Sequence, residues 1–142
     1  MKVYFAASIS GGREHLEIYK QLIEYTKRYG EVLTEHLADS SLTNMGETTL
    51  SSQEIYLRDL NWIINSDIVV AEVSTPSLGV GYELAMAEEL NKPLLCLYKE
   101  QENKRLSAMI SGNKKIKVKI YKEIGEAKKL IDEFFKELDL KK

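Results

Sequence analysis

The chain has 142 residues, 44% hydrophobic and 30% charged, with 20 Lys+Arg against 22 Asp+Glu for a formal charge of −2. At roughly 150 residues per domain that is one domain, and the charge balance excludes a nucleic-acid coat protein and a polybasic membrane binder while leaving room for a local anion site. The single cysteine, Cys96, excludes an internal disulfide and a cysteine-rich zinc site and fits a reducing cytoplasm; no apolar run nears the ~20 residues of a membrane span, and the one that opens the chain is too short for a signal peptide.

Residues 3–9 predict a short buried strand that runs into Gly11-Gly12. Residues 14–29 place Leu16, Tyr19, Leu22, Ile23 and Thr26 at helical spacing, with Gly30 as a C-cap. Residues 31–36 predict a second strand, and 38–50 a polar loop of unusual length, which in a compact domain points to function. Ser51 and Glu54 have the spacing of a capping box, so a helix is expected over 53–65 with Leu57, Leu60, Ile63 and Ile64 on its apolar face.

Residues 67–73 contain Ile68-Val69-Val70-Ala71, the pattern of a central parallel strand. A loop over 74–80 leads to a helix over 81–90, then a strand at 94–98, an irregular stretch with a short helix at 106–110, a strand at 117–121 and a final helix over 123–138. Strand and helix alternate throughout. The fold class is therefore α/β: one Rossmann-like, flavodoxin-like domain with a five-stranded parallel sheet and helices on both faces. Sites on such sheets lie at the carboxyl ends of the strands, which directs attention to the loops at 8–13, 38–50 and 74–80.

In the first of these, Ser8, Ser10, Gly11, Gly12 and Arg13 combine hydroxyls, close-approaching backbone N–H groups, a helix N-terminus and a cation, all of which suit an anion. The spacing matches neither a Walker A loop nor G-x-G-x-x-G, and it fits equally a tight turn with Ser10 as a helix N-cap. Near the third loop, Ser77, Gly79 and Gly81 let the backbone approach a ligand, and Glu83 falls in the first turn of the expected helix. The helix dipole there predicts an ionised Glu83 at neutral pH, able to act as nucleophile or base, or simply to complement the dipole. Asp59 borders the buried stripe of its own helix, either solvated or turned into a cleft. A carboxylate pair of this kind suits glycosidic chemistry. His15 and His36 lack metal-ligand spacing, and no metal or other cofactor is expected. Trp62 reads as packing, Cys96 as an inert core thiol, and the lysines around 114–117 as a solvated edge.

Several segments together resemble one family. They are Val3 to Glu14 (V-Y-F-A-A-S-I-S-G-G-R-E), Val32 to His36, Asp67 to Val73, and Pro76 to Leu84 (P-S-L-G-V-G-Y-E-L), extended by Asn91-Lys92 and Leu106-Ser107-Ala108-Met109-Ile110. This set is similar to the 2′-deoxynucleoside 5′-monophosphate N-hydrolases of the nucleoside 2-deoxyribosyltransferase superfamily. The resemblance implies hydrolysis of the N-glycosidic bond of a deoxynucleotide to free base and 2-deoxyribose 5-phosphate, in a homodimer with shared active sites and with no nucleic-acid polymer or membrane as partner.

Carried over by motif, Glu83 is the nucleophile that forms a glycosyl ester, Asp59 assists the leaving base and orients the sugar, and Tyr4 lies beside the deoxyribose. Ser8 and Ser77 hold the phosphate, Ser107 reaches it from the neighbouring subunit, and Met109 joins the substrate-binding set. The family's I-R-G-G-R reads I-S-G-G-R here, so Ser10 replaces a phosphate-facing arginine and implies a narrower preference for the 5′-phosphate. The same nucleophile also serves deoxyribosyl transfer to an acceptor base, and the fold serves non-catalytic nucleotide binding.

Overall fold

A computed structural model describes residues 1–9, 12–38 and 49–140. Ser10, Gly11, the Arg13 side chain and most of the expected long loop lie outside the described residues. The elements are β1 (Lys2–Ala7), α1 (Gly12–Thr26), β2 (Glu31–Val32), a 3₁₀ turn (Glu35–Ala38), α2 (Ser52–Asn65), β3 (Ile68–Glu72), α3 (Leu78–Glu89), β4 (Leu94–Lys99), α4 (Ala108–Ser111), β5 (Lys117–Tyr121) and α5 (Ile124–Leu140). All strand pairs are parallel, in the order β2-β1-β3-β4-β5, the flavodoxin-like winding.

Strand alternation divides the core into two layers. Val3, Phe5, Val70, Leu95 and Leu97 pack against α1 and α5 through Leu22, Ile23, Ile131 and Phe134. Tyr4, Ala6, Val69, Ala71 and Cys96 face the other way, toward Ile63 of α2 and Val80, Leu84 and Ala87 of α3. The helix pair that carries the candidate carboxylates therefore covers the same sheet face to which Tyr4 points. Burial pushes the Cys96 thiol up to about 12, which makes it the inert core residue expected.

Five sequence expectations are corrected. The second strand pairs over two residues rather than six, because the side chain of Thr34 replaces the next rung. Its Oγ1 accepts from Phe5 N–H at 2.8 Å and donates to Phe5 C=O at 2.6 Å, and the chain then turns with Leu37 N–H bonded to Thr34 C=O. Helix α1 ends at Thr26, whose hydroxyl bonds back to Leu22 C=O, before the expected Tyr29. Gly30 is not a left-handed cap; it is needed for close approach, since a Cβ there would sit 2.2 Å from Met1 O.

On α2 only Ile63 of the four expected core residues is buried, while Leu57 and Ile64 are exposed, because the helix rests on the sheet near its C-terminal end. Helix α3 begins at Leu78, three residues early, because Ser77 caps it by accepting from Val80 N–H at 3.2 Å. The capping box of α2 is present in both directions between Ser51 and Glu54. At the far end of α3, Asn91 takes a φ of 57°, and Lys92 N–H returns to Ala87 C=O, the closure of a Schellman turn. The Lys92 ammonium then binds Ile64 C=O at 3.0 Å and Ser66 C=O at 2.6 Å, which pins the end of α3 to the end of α2.

Candidate active site

Three elements deliver three side chains to one place. Tyr4 comes from the middle of β1, Asp59 from α2 and Glu83 from α3, and all three line a cavity of about 70 Å³ together with Thr34, His36 and Arg58. Asp59 and Glu83 also form the floor of a more open recess of about 280 Å³ between the two helices, walled by Ile55, Tyr56, Tyr82 and Met86. Asp59 is thus turned into a cleft rather than left at a solvated boundary. The Tyr4 hydroxyl lines the same small cavity as the Glu83 carboxyl and favours its ionised form.

The expectation of a fully ionised Glu83 is corrected. Because α3 starts at Leu78, Glu83 stands beyond the first turn, where the dipole has little effect. Burial, then the charge of Asp59, pushes its carboxyl up to about 7, against a smaller opposing effect of the Tyr4 hydrogen bond. At neutral pH the carboxyl is divided between its two forms. The Tyr4 hydroxyl is pushed far above its ordinary range by burial and by the two carboxylates, so it stays a neutral donor.

Arg58 Nε and Nη2 converge on Asp59 Oδ1 at 3.0 and 2.9 Å. The guanidinium lies 4.7 Å from the centre of the Trp62 ring, and Nη2 is 3.4 Å from His36 Nε2. The sequence reading missed Arg58 and set His36 aside. The Arg58–Trp62 spacing of i, i+4 on α2 was the available signal.

The structure does not bring every expected site residue together within one chain. Ser77, Gly81, Ser107 and Met109 line a separate cavity of about 570 Å³ on the other side of α3. Gly79 faces the recess that holds Asp59 and Glu83. Helix α3 stands between Ser107 and the Glu83 of the same chain. A Cβ at Gly81 would meet nothing within 4 Å, so nothing in the chain itself crowds this glycine. Ser107 caps the short α4 by accepting from Met109 N–H at 3.3 Å, and the Met109 side chain is 83% exposed. Ser8 is buried just past the end of β1, and Gly12 opens α1.

Among the described residues no group of three or more His, Cys, Asp or Glu side chains could hold a metal ion, and no helix is long and apolar enough to cross a membrane. What the arrangement offers is a half-buried carboxylate pushed up to about 7, a second carboxylate lining the same cavity, and a phenol between sheet and helix. These are the parts needed to attack an electrophilic carbon and to manage the proton of a leaving group.

A family model described as nucleoside 2-deoxyribosyltransferase matches residues 3–134. The chain is 47% identical over 137 residues to the 5-hydroxymethyl-dUMP N-hydrolase of Rattus norvegicus, covering 94% of this chain and 83% of that one. It is 53% identical over 127 residues to a putative 2′-deoxynucleoside 5′-phosphate N-hydrolase of Nematostella vectensis, covering 86% of each. In fold it is similar to a Clostridium botulinum CMP N-glycosidase, with a TM-score of 0.68 at 20% identity over 94% of this chain and 99% of that one. The chain belongs to the nucleoside 2-deoxyribosyltransferase family.

Proposed function

We propose that the protein hydrolyses the N-glycosidic bond of 2′-deoxynucleoside 5′-monophosphates through a covalent glycosyl–Glu83 intermediate, releasing the free base and 2-deoxyribose 5-phosphate. It is an enzyme of the N-glycosidase class, and relatives named for deoxynucleotide N-hydrolysis support that substrate class. The observation that carries the reading is the meeting of Glu83, Asp59 and Tyr4 in one cavity.

The ionised Glu83 attacks C1′ of the sugar. The C1′–N bond breaks, its electron pair passes to the base, and Asp59 delivers the proton that neutralises the base. Water then attacks C1′, the ester bond pair returns to Glu83, and Asp59 takes back a proton from the water. Both carboxyls end as they began, with one proton between them. Tyr4 lies beside the deoxyribose.

The phosphate is held by Ser8, Ser10, the Gly11 and Gly12 backbone and Arg13 at the first βα turn, and by Ser77 at the N-terminus of α3. Ser107 joins from a second copy of the chain. The exposed Leu78 and Met109 beside Ser107 support that assembly, since Leu78 is 97% exposed, and so does the position of α3 between Ser107 and its own Glu83. The setting of the work is a homodimer in the cytoplasm.

The test is a panel of deoxynucleoside monophosphates and free deoxynucleosides, with and without an acceptor base, read by chromatography of the released base. Base release from monophosphates in water, lost by several orders of magnitude in Glu83→Ala, is the expected result. Release only when an acceptor base is present points instead to deoxyribosyl transfer.

A further inference from the structure

The reacting pair works with one proton between two carboxyls. Whatever decides which carboxyl holds that proton decides when Glu83 can attack. Among the described residues, the titratable and charged groups that line the cavity with Asp59 and Glu83 are Tyr4 from β1, His36 from the 3₁₀ turn and Arg58 from α2. Tyr4 stays neutral. Of these groups Arg58 alone carries a permanent positive charge, and its Nε and Nη2 both lie on Asp59 Oδ1.

This pairing is built rather than incidental. Adjacent residues on a helix point about 100° apart, so Arg58 reaches Asp59 only by folding sideways. Trp62, one turn further along α2, holds the guanidinium against its ring face at 4.7 Å, and His36 Nε2 meets Nη2 at 3.4 Å from a different element. The guanidinium is gripped from two sides while it contacts the carboxylate.

We infer that Arg58 is a positioning residue that holds Asp59 as the anionic member of the Asp59–Glu83 pair and leaves the shared proton on Glu83 in the free enzyme. This rests on the reading of that pair as the reacting groups. The free enzyme then rests with its nucleophile capped, and it becomes reactive when the proton moves from Glu83 to Asp59. The upward displacement of Glu83 by the Asp59 charge has the same direction. A pair so coupled titrates in two steps that belong to both carboxyls, and removing a fixed cation raises both steps.

The experiment is a carbon-13 NMR titration of the side-chain carboxyls in wild type, Arg58→Met and Arg58→Lys, with the two signals assigned from Asp59→Asn and Glu83→Gln. In wild type the step near pH 7 should move the Glu83 carboxyl, with little movement of Asp59. In Arg58→Met the Asp59 carboxyl should take a share of the upper step, and the pH profile of kcat/KM should move up by about one unit, within the range an adjacent opposite charge produces. Arg58→Lys keeps the charge and should restore the wild-type assignment even if its poorer fit to Trp62 lowers the rate.

A purely structural role would lower activity without moving either the profile or the assignment. An Asp59 signal that already carries the upper step in wild type, or one unchanged in Arg58→Met, overturns the inference. If Arg58→Met does not fold, Arg58→Gln, with a shorter polar side chain, gives the same comparison. Absence of base release from every nucleotide by wild type would defeat the functional reading instead, and the NMR assignment would still decide the role of Arg58.

Discussion

The hydroxyl of Tyr4, the third residue of β1, shares one small cavity with the carboxyl of Glu83, almost eighty residues away on α3. The hydroxyl acts across that cavity, from the sheet to the helix that carries the proposed nucleophile. It works against burial and against the charge of Asp59, both of which favour the protonated carboxyl.

Replacing Tyr4 by Phe removes that donor and keeps the ring. The ionised form of Glu83 loses support, so the acid limb of kcat/KM should move above its wild-type position near pH 7, by about one unit for a hydrogen bond to a charged group. Rates measured from pH 5 to 9 check this. A limb that stays in place or moves down would show that Tyr4 does not serve the ionised carboxyl.

Glu83 also links stability to pH. Its folded value of about 7 lies above its ordinary 4.5, so the folded chain holds the proton more tightly than the unfolded chain. Wild type is therefore free of this penalty below pH 4.5, loses stability as pH rises from 4.5 to 7, and carries the full cost above. Glu83→Gln should remove that cost, on the order of 3 kcal/mol at pH 8, and should melt higher than wild type at pH 8 but not at pH 4.5. Equal differences in Tm at both pH values contradict the prediction.

Thr34 replaces a strand rung with its side chain and is 2% exposed. Thr34→Val keeps the shape and leaves Phe5 N–H and C=O without that partner. The expected loss is about 1–3 kcal/mol, read from the urea midpoint, with a smaller loss for Thr34→Ser. A change in Thr34→Val below about 0.5 kcal/mol, typical of neutral surface substitutions, would show that the bond contributes little.

The proposed sharing of the site between two copies makes a complementation prediction. Glu83→Ala and Ser107→Ala chains, each impaired alone, should regain activity when mixed and allowed to exchange. One of the two sites in each mixed dimer then has Glu83 from one chain and Ser107 from the other. Activity that merely averages the two variants, or full activity of a monomer, would refute a Ser107 donated across copies.

The order of elements was legible because it rests on local patterns. The continuous apolar runs of β3 and β4 read as buried parallel strands, the Ser51–Glu54 box set the start of α2, and alternation of strand and helix fixed the winding class. The motif around Glu83 also carried the family. These features depend on neighbours within a turn or a strand, which a sequence displays directly.

Only the tertiary structure decided the electrical state of the site. Glu83 looked ionised while its helix was taken to start at residue 81; the Ser77 cap moved that start, and the facing helix brought Asp59 and burial to bear on it. Thr34 ended β2 by bonding to a strand 29 residues earlier. Arg58 became part of the site through Trp62 on its own helix and His36 on another element. Protonation and edge pairing are set by groups close in space and distant in the chain. A linear pattern holds the identity of those groups, while their distance, and so the size of their effect, exists only once the sheet and both helix layers are assembled.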